Sequence, residues 1–300
     1  MTFAAIIELA VNGLITGILY ALVALGIALI FGVLKIVNFA HGEFYMLGGY
    51  AGYVAVTLLG LHPAAGVVAG MAAVFLVGAA VEKTLIKPIH LGKVERADEY
   101  AIMITFALSV LLLNLMLSIF GPWPQRPQAI FSGVFEFGPV LLPGDRLAAA
   151  LVGAIIILVF MAVLRWSWIG MAVRAVSQDR GAAQAFGINI DRVSTFAFAI
   201  GAALAGGAGA LIGPVFNVVP QMGLVLVIKA YVIVVLGGMG SIPGAVLGAL
   251  ILGQVESFVP ILISDPARGM AYRDAYGLVV LVLVLLVRPQ GLFGRKERRA

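Results

Sequence analysis

The stretch RWSWIGMAVRAVSQDRGAAQAFGINIDR, Arg165 to Arg192, is a polar island between two long apolar runs, 147–165 and 193–213. It is too short to be a folded domain, and it is rich in arginine and small residues. Its length suits a brief exit from a membrane: one or two helical turns that touch something in the cytoplasm. Within it, Ala182, Ala183, Ala185 and Phe186 offer a small apolar face, and Gly187 can take a helix-ending conformation. Arg174, Asp179, Arg180 and Arg192 surround that face with charge. One reading is a short amphipathic helix seated in a groove of a cytoplasmic partner. The plainer one is a helix lying on lipid headgroups, although a face so rich in alanine inserts poorly.

Outward from the island, composition agrees with a membrane setting. Hydrophobic residues make up 62% of the 300 and charged residues 11%, where soluble domains carry about a quarter charged. Apolar segments run at 5–34, 42–60, 63–86, 100–120, 147–165, 193–213, 223–238, 243–262 and 274–288. A span needs about 20 such residues, so the chain is expected to be an all-α polytopic bundle of eight or nine crossings. Helices are expected because hydrocarbon leaves no unpaired backbone group satisfied, and runs such as Tyr276 to Val287 do not alternate as barrel strands do. A single transmembrane domain over 1–300 follows, with the cytoplasmic region at about 166–192. An outer loop at about 121–146 (GPWPQRPQ, then FEFGPVLLPGDR) is either a docking surface or a cover for helix ends. The N-terminal run has no basic n-region and extends to Leu34, unlike a cleavable signal.

Basic residues orient the stack. With the N-terminus outside, the inner side collects Lys35, Lys83, Lys87, Lys93, Arg96, the four arginines of the island, Arg288 and the basic run ending at Arg299. The outer side gets Arg126, Arg146, Arg268 and Arg273. That asymmetry places the C-terminus in the cytoplasm. Lys229, in a short segment after Pro220, suggests a broken or re-entrant helix and an alternative count of eight.

Several chemistries find no residues. Cysteine is absent, and the three histidines form no grouping with an acid or a nucleophile. No G-x-x-x-x-G-K-[ST] occurs; the one Gly-Lys pair, Gly92-Lys93, has the wrong neighbours, so the chain has no P-loop of its own. VLGGMGSIPGAVLGALILG, Val235 to Gly253, resembles a nucleotide loop only superficially. Its plain reading is a tight turn through Gly237, Gly238, Gly240 and Gly244, joining two helices packed closely at Gly244 and Gly248. Gly13/Gly17, Gly48/Gly52, Gly66/Gly70 and Gly209/Gly213 repeat the small-residue spacing that lets helices approach in lipid.

Two polar features break the apolar pattern. In KIVNFAHGEFYMLGGY, Lys35 to Tyr50, residues Asn38, His41, Gly42 and Glu43 form either an unwound elbow lining a pathway or a cytoplasmic turn. In the turn reading Asn38 caps the next helix, with His41 and Glu43 solvated. Lys229 and Glu256 fall within apolar segments, where charge is costly. Each reads equally as structural, by snorkelling or lying near an interface, or as functional.

Three ordered motifs resemble the permease subunits of the branched-chain amino-acid ABC transporter family, the leucine/isoleucine/valine type. They are NGLITGILYALVALGIALIFGVLKIVNFAHGEFYMLGGY near the start, RAVSQDRGAAQAFGIN in the middle, and VLGGMGSIPGAVLGALILG followed by RPQGLFG. The resemblance implies a type II importer permease core in the bacterial inner membrane. It implies partners too: cytoplasmic ATPase subunits that hold ATP and Mg, a second permease subunit and a periplasmic solute-binding protein, with no cofactor on this chain and no nucleic acid. Carried over, it makes Arg174, Ala175, Asp179, Ala182, Ala183, Gly187, Ile188 and Asn189 the ATPase-coupling helix. It also makes Asn12, Tyr20, Asn38, His41, Gly42 and Glu43 candidates for lining or gating the path. The match is weaker at 121–146 and 263–273, which leaves urea, short amides and aromatic acids open beside leucine-like substrates. A self-sufficient secondary carrier or channel is the alternative; it needs an ion site, for which Lys229 with Glu256 is the visible start.

Overall fold

The structure is a computed structural model that describes residues 3–137, 140–262 and 266–294. Helices dominate it. A long α1 (Phe3–Leu34) turns through residues 35–40 into α2 (His41–Tyr53), which runs on as a π-helical segment to Leu58. His62 caps the next helix, its Nδ1 accepting from Ala64 N at 3.2 Å, and Pro63 occupies the first turn, where a missing N–H costs nothing. That helix, α3 (Pro63–Val81), continues through a second π segment (Glu82–Ile86) into α4 (Lys87–His90). Next, α5 (Ala97–Phe120) opens with Asp98 and Glu99 at the positive end of its dipole and stops at Gly121, φ +72°.

A hairpin of β1 (Val134–Phe137) and β2 (Val140–Pro143) leads into α6 (Gly144–Trp166). Two short helices follow, α7 (Trp168–Gln178) and α8 (Arg180–Ala185), then α9 (Ile190–Phe216). Two helices of similar length, α10 (Met222–Gly237) and α11 (Ile242–Phe258), bend by 118° at their junction. The rest is α12 (Pro266–Ala271) and α13 (Arg273–Val287), with an irregular segment to Gly294. The basic run from Arg295 and part of the outer segment, 263–265, lie outside the described residues.

The centre of the bundle is α9, buried along most of its length against α1, α2 and α3. Its run GAALAGGAGAL, Gly201 to Leu211, explains how three neighbours fit around one helix. A Cβ at Gly48 would overlap the backbone of Gly206, and one at Gly209 would overlap the Tyr45 carbonyl. Without a hydrophobic effect between helices in lipid, such backbone contact and its dispersion energy hold them together. Large exposed side chains instead line the outer faces of α5 (Met103, Phe106, Leu111, Ile119) and α6 (Leu151, Ile155, Leu158), where lipid is the natural solvent. Trp166 and Trp168, both exposed, bracket the α6–α7 junction as interfacial anchors do.

Nine of the described helical runs overlie the nine apolar segments, yet only five are long and apolar enough to cross a bilayer alone. These are Phe3–Leu34, Pro63–Ile89, Ala97–Phe120, Gly144–Trp166 and Ile190–Phe216; the bent α10–α11 pair makes a sixth if taken as one span. The expected break near Lys229 is displaced. Helix α10 runs unbroken past Lys229, and the sharp turn comes at Gly238 to Ser241, where two positive-φ glycines permit it.

Candidate functional site

At the bundle end where α1 finishes, Ser167, Asp179 and Asn189 start α7, α8 and α9 in turn. Each side-chain oxygen accepts from a backbone N–H three residues on: Gly170 at 3.0 Å, Ala182 at 2.9 Å and Arg192 at 2.9 Å. The expected single helix over 174–189 is therefore two. Asp179 has extended backbone, φ −152°, because its carboxylate caps α8; Arg174 and Ala175 stay on α7. Helix α8 ends in a Schellman motif, with Ile188 N donating to the Ala183 carbonyl (3.1 Å) and Gly187 N to the Gln184 carbonyl (2.9 Å). Gly187 sits at φ +80° with open space around it.

The small apolar face is also split. Ala183 packs inward at 4% exposure, whereas Ala182 and Ala185 face solvent and Phe186 projects outward at 88%. Both helices are fastened to the bundle: Arg174 Nη1 donates to the Leu164 carbonyl, and Arg180 Nη2 donates to the Val33 carbonyl at 2.7 Å. Partial burial lowers the Arg180 pKa from its ordinary value, although a guanidinium remains charged at any physiological pH.

The elbow of Asn38 to Glu43 is buried, not a solvated turn. Phe39 N donates to Thr105 Oγ1 at 3.2 Å, and Thr105 lies ~12 Å along α5 from its first residue. His41 is fully buried with Nε2 3.1 Å from the Val23 carbonyl. Glu43, 4% exposed, accepts from Ser109 Oγ at 3.0 Å. Asn38 does not cap α2. Its Oδ1 accepts from Ala40 N at 3.1 Å, Ala40 holds the cap position without a side-chain bond, and the Asn38 carbonyl accepts the Tyr231 hydroxyl at 2.8 Å. Gly42 is where α10 crosses, since a Cβ there would overlap the Gly223 carbonyl.

Tyr20 belongs elsewhere. Its hydroxyl donates to Glu256 Oε2 at 2.9 Å and accepts from Lys229 Nζ at 3.1 Å. Lys229 in turn reaches Glu256 Oε1 and Asp274 Oδ1, each at 2.8 Å, and Arg273 Nε lies 3.0 Å from Glu256 Oε2. Lys229 thus spends its donors within this cluster, and Glu256 is buried at 2% exposure. Four charges from α10, α11 and α13 balance to zero around the α1 tyrosine. Asn12 is half-buried about two turns away along α1 and joins neither group. Asp274 and Arg273 escaped sequence reading because they flank an apolar run and looked like outer-surface residues; Ser109 and Thr105 gave no signal within α5.

The glycine turn joins α10 to α11 through Gly238 (φ +103°) and Gly240 (φ +79°), and Ser241 Oγ caps α11 by accepting from Gly244 N at 3.2 Å. A Cβ on Gly237 would overlap the Gly244 carbonyl, and one on Gly248 would come within 2.7 Å of the Ile233 carbonyl. The RPQGLFG segment straps this turn. Leu292 N donates to the Leu236 carbonyl and Phe293 N to the Gly237 carbonyl, both at 2.9 Å, satisfying two terminal carbonyls of α10. Among the described residues, no three of His, Cys, Asp and Glu converge as metal ligands.

Comparison with known proteins places this arrangement. Residues 9–288 match the family described as branched-chain amino acid transport system, permease component. The chain is 34% identical over 304 residues to the high-affinity branched-chain amino acid transport system permease protein LivH of Escherichia coli, covering 95% of this chain and 94% of that one. It is 33% identical to BraD of Pseudomonas aeruginosa, over 96% of this chain and 95% of that protein. Similarity extends to the E. coli permease LivM, at 28% identity over 91% of this chain and 67% of that protein. With a bundle of apolar helices and a family match over nearly its whole length, the chain belongs to the permease components of branched-chain amino acid transport systems.

Proposed function

We propose that this chain is the membrane-spanning permease subunit of an ATP-driven importer of type II architecture, carrying branched-chain amino acids or related small polar solutes into the cytoplasm. It works with separate ATPase subunits, a second permease and a periplasmic solute-binding protein. The basic residues at the α7–α8 end favour eight or nine crossings with the C-terminus inside. The observation that carries the reading is α8: capped at both ends, fastened to α1 through Arg180, and presenting the exposed Phe186 at its tip. A ring offered to solvent on a rigid pedestal suits a groove on a moving partner, where an aromatic anchor dominates contact energy.

Energy from ATP enters here as displacement of α8. Its link to α1 passes the movement to α9 and α11, which pack on α1. The ion cluster does not favour a self-sufficient carrier, because its two acids and two bases already neutralise one another. The test is a single cysteine at Phe186 in a chain that otherwise has none. With a short bismaleimide, the Phe186→Cys protein should cross-link to the ATPase subunit of the assembled transporter. Modification of that cysteine from the periplasmic face would overturn the assignment.

A further inference from the structure

The geometry points to a substrate contact in this permease: the groove between α10 and α13 is a transit site for an aliphatic α-amino acid in its zwitterionic form. The inference rests on the importer reading and adds a place on the chain where solute pauses.

The groove has a volume of about 220 Å3. Its walls are Val225, Ile228 and Val232 of α10, Leu252 of α11 and Leu278 of α13, and Gly277 leaves room between them. Its charged lining is Lys229, Glu256 and Asp274. An apolar groove with paired opposite charges in its wall has the polarity of leucine or valine: an alkyl group next to one ammonium and one carboxylate.

The charges differ in how firmly they are held. An ammonium has three donors, and those of Lys229 go to Glu256, Tyr20 and Asp274. Glu256 is held from several sides by Lys229, Tyr20 and Arg273, and its side chain is 1% exposed. The Asp274 side chain is 67% exposed at the groove mouth. A zwitterion can enter by inserting between Lys229 and Asp274. Its carboxylate takes the lysine donor and its ammonium takes the aspartate, so one ion pair becomes two while Glu256 keeps its partners.

Exposure gives the second argument. Val225 and Ile228 of α10 and Leu278 of α13 stand exposed in the groove that also holds Asp274. Charges within a bundle in lipid face protein or a water-filled cavity. The exposed carboxylate therefore calls for water or solute in front of it.

The test uses single cysteines at Val225 and Leu278, with Leu283→Cys on α13 outside the groove as control, in proteoliposomes holding the whole transporter. A small cationic methanethiosulfonate should modify both groove cysteines. L-leucine at about ten times its half-effect concentration should slow that reaction about tenfold, the mass-action ratio, and leave Leu283→Cys unaffected. Leucinamide and 4-methylpentanoate, each lacking one charge, should not protect, and Asp274→Asn should remove protection by leucine. Groove cysteines that resist the reagent, or react equally with and without leucine in vesicles that take leucine up, would overturn the groove alone. Vesicles of the unsubstituted transporter that take up no leucine would overturn the importer reading and the groove with it.

Discussion

Arg180 Nη2 lies 2.7 Å from the carbonyl of Val33, which joins the short helix α8 to the last turn of α1. That carbonyl is among the four at a helix end that lack an intrahelical partner, so the guanidinium both satisfies it and anchors α8. Arg180→Ala should leave the protein in the membrane at its normal level while lowering ATP-driven uptake. Arg180→Lys, a point charge without the fork, should recover part of the rate. Full-rate uptake by Arg180→Ala, measured per amount of protein, would show that the link carries no motion.

Gly187 holds a left-handed conformation at φ +80° with nothing near it. A side chain there costs about 1–2 kcal/mol through the backbone alone. Gly187→Val should therefore distort the end of α8 and abolish uptake and ATPase stimulation without loss of folded protein. Gly187→Asn, which tolerates this region, should be milder. Ala183→Glu should match the valine change, because it forces a carboxylate into the buried side of α8. The check is transport and ATPase rate against membrane content for all three.

Glu256 is the hub of its cluster. Glu256→Gln removes its ion pairs with Lys229 and Arg273 at once and leaves Asp274 as the one acid of the cluster against two bases. Lys229→Met keeps Glu256 with Arg273 and Tyr20, so its cost should fall below the about 3–5 kcal/mol typical when a buried charge loses its partner. Thermal unfolding in detergent should accordingly show the larger drop for Glu256→Gln. The reverse order would mean that Lys229 is the residue holding α10 to α11.

Gly206 touches α3, where a Cβ would press on Val74 and the Gly70 carbonyl, and it faces Gly48 of α2. Gly206→Val should force three helices apart and prevent accumulation in the membrane. Gly60→Val, at a loop glycine whose added Cβ would meet nothing within 4 Å, should cost only local backbone strain. Immunoblots of membrane fractions would decide between them.

The apolar runs were legible because lipid imposes one rule on every residue that faces it; the ends of α10 fall within one residue of its run, whereas α9 extends three residues past its run at each end, its start set by the Asn189 cap. The end of α8 was legible too, since Gly187 after a run of alanines has one natural use. The split at Asp179 was not, because an aspartate inside a helical pattern looks like a surface residue until its carboxylate is seen capping Ala182 N. The elbow misled for a different reason. Asn38, His41 and Glu43 carry the polarity of a solvated turn, and only the parallel course of α5, which begins ~12 Å before that level, shows that they are covered. Asp274 was hidden by position, since its role depends on α13 returning beside α10 after a long connection.

Uptake of radiolabelled L-leucine into proteoliposomes tests most directly whether α8 is the point where ATP drives this permease. The assembled transporter with binding protein should accumulate leucine when ATP is supplied on the ATPase side, and Ala183→Glu should stop it while the ATPase subunits remain catalytically competent. Uphill uptake by the purified chain alone, or undiminished ATP-driven uptake by Ala183→Glu, would contradict it.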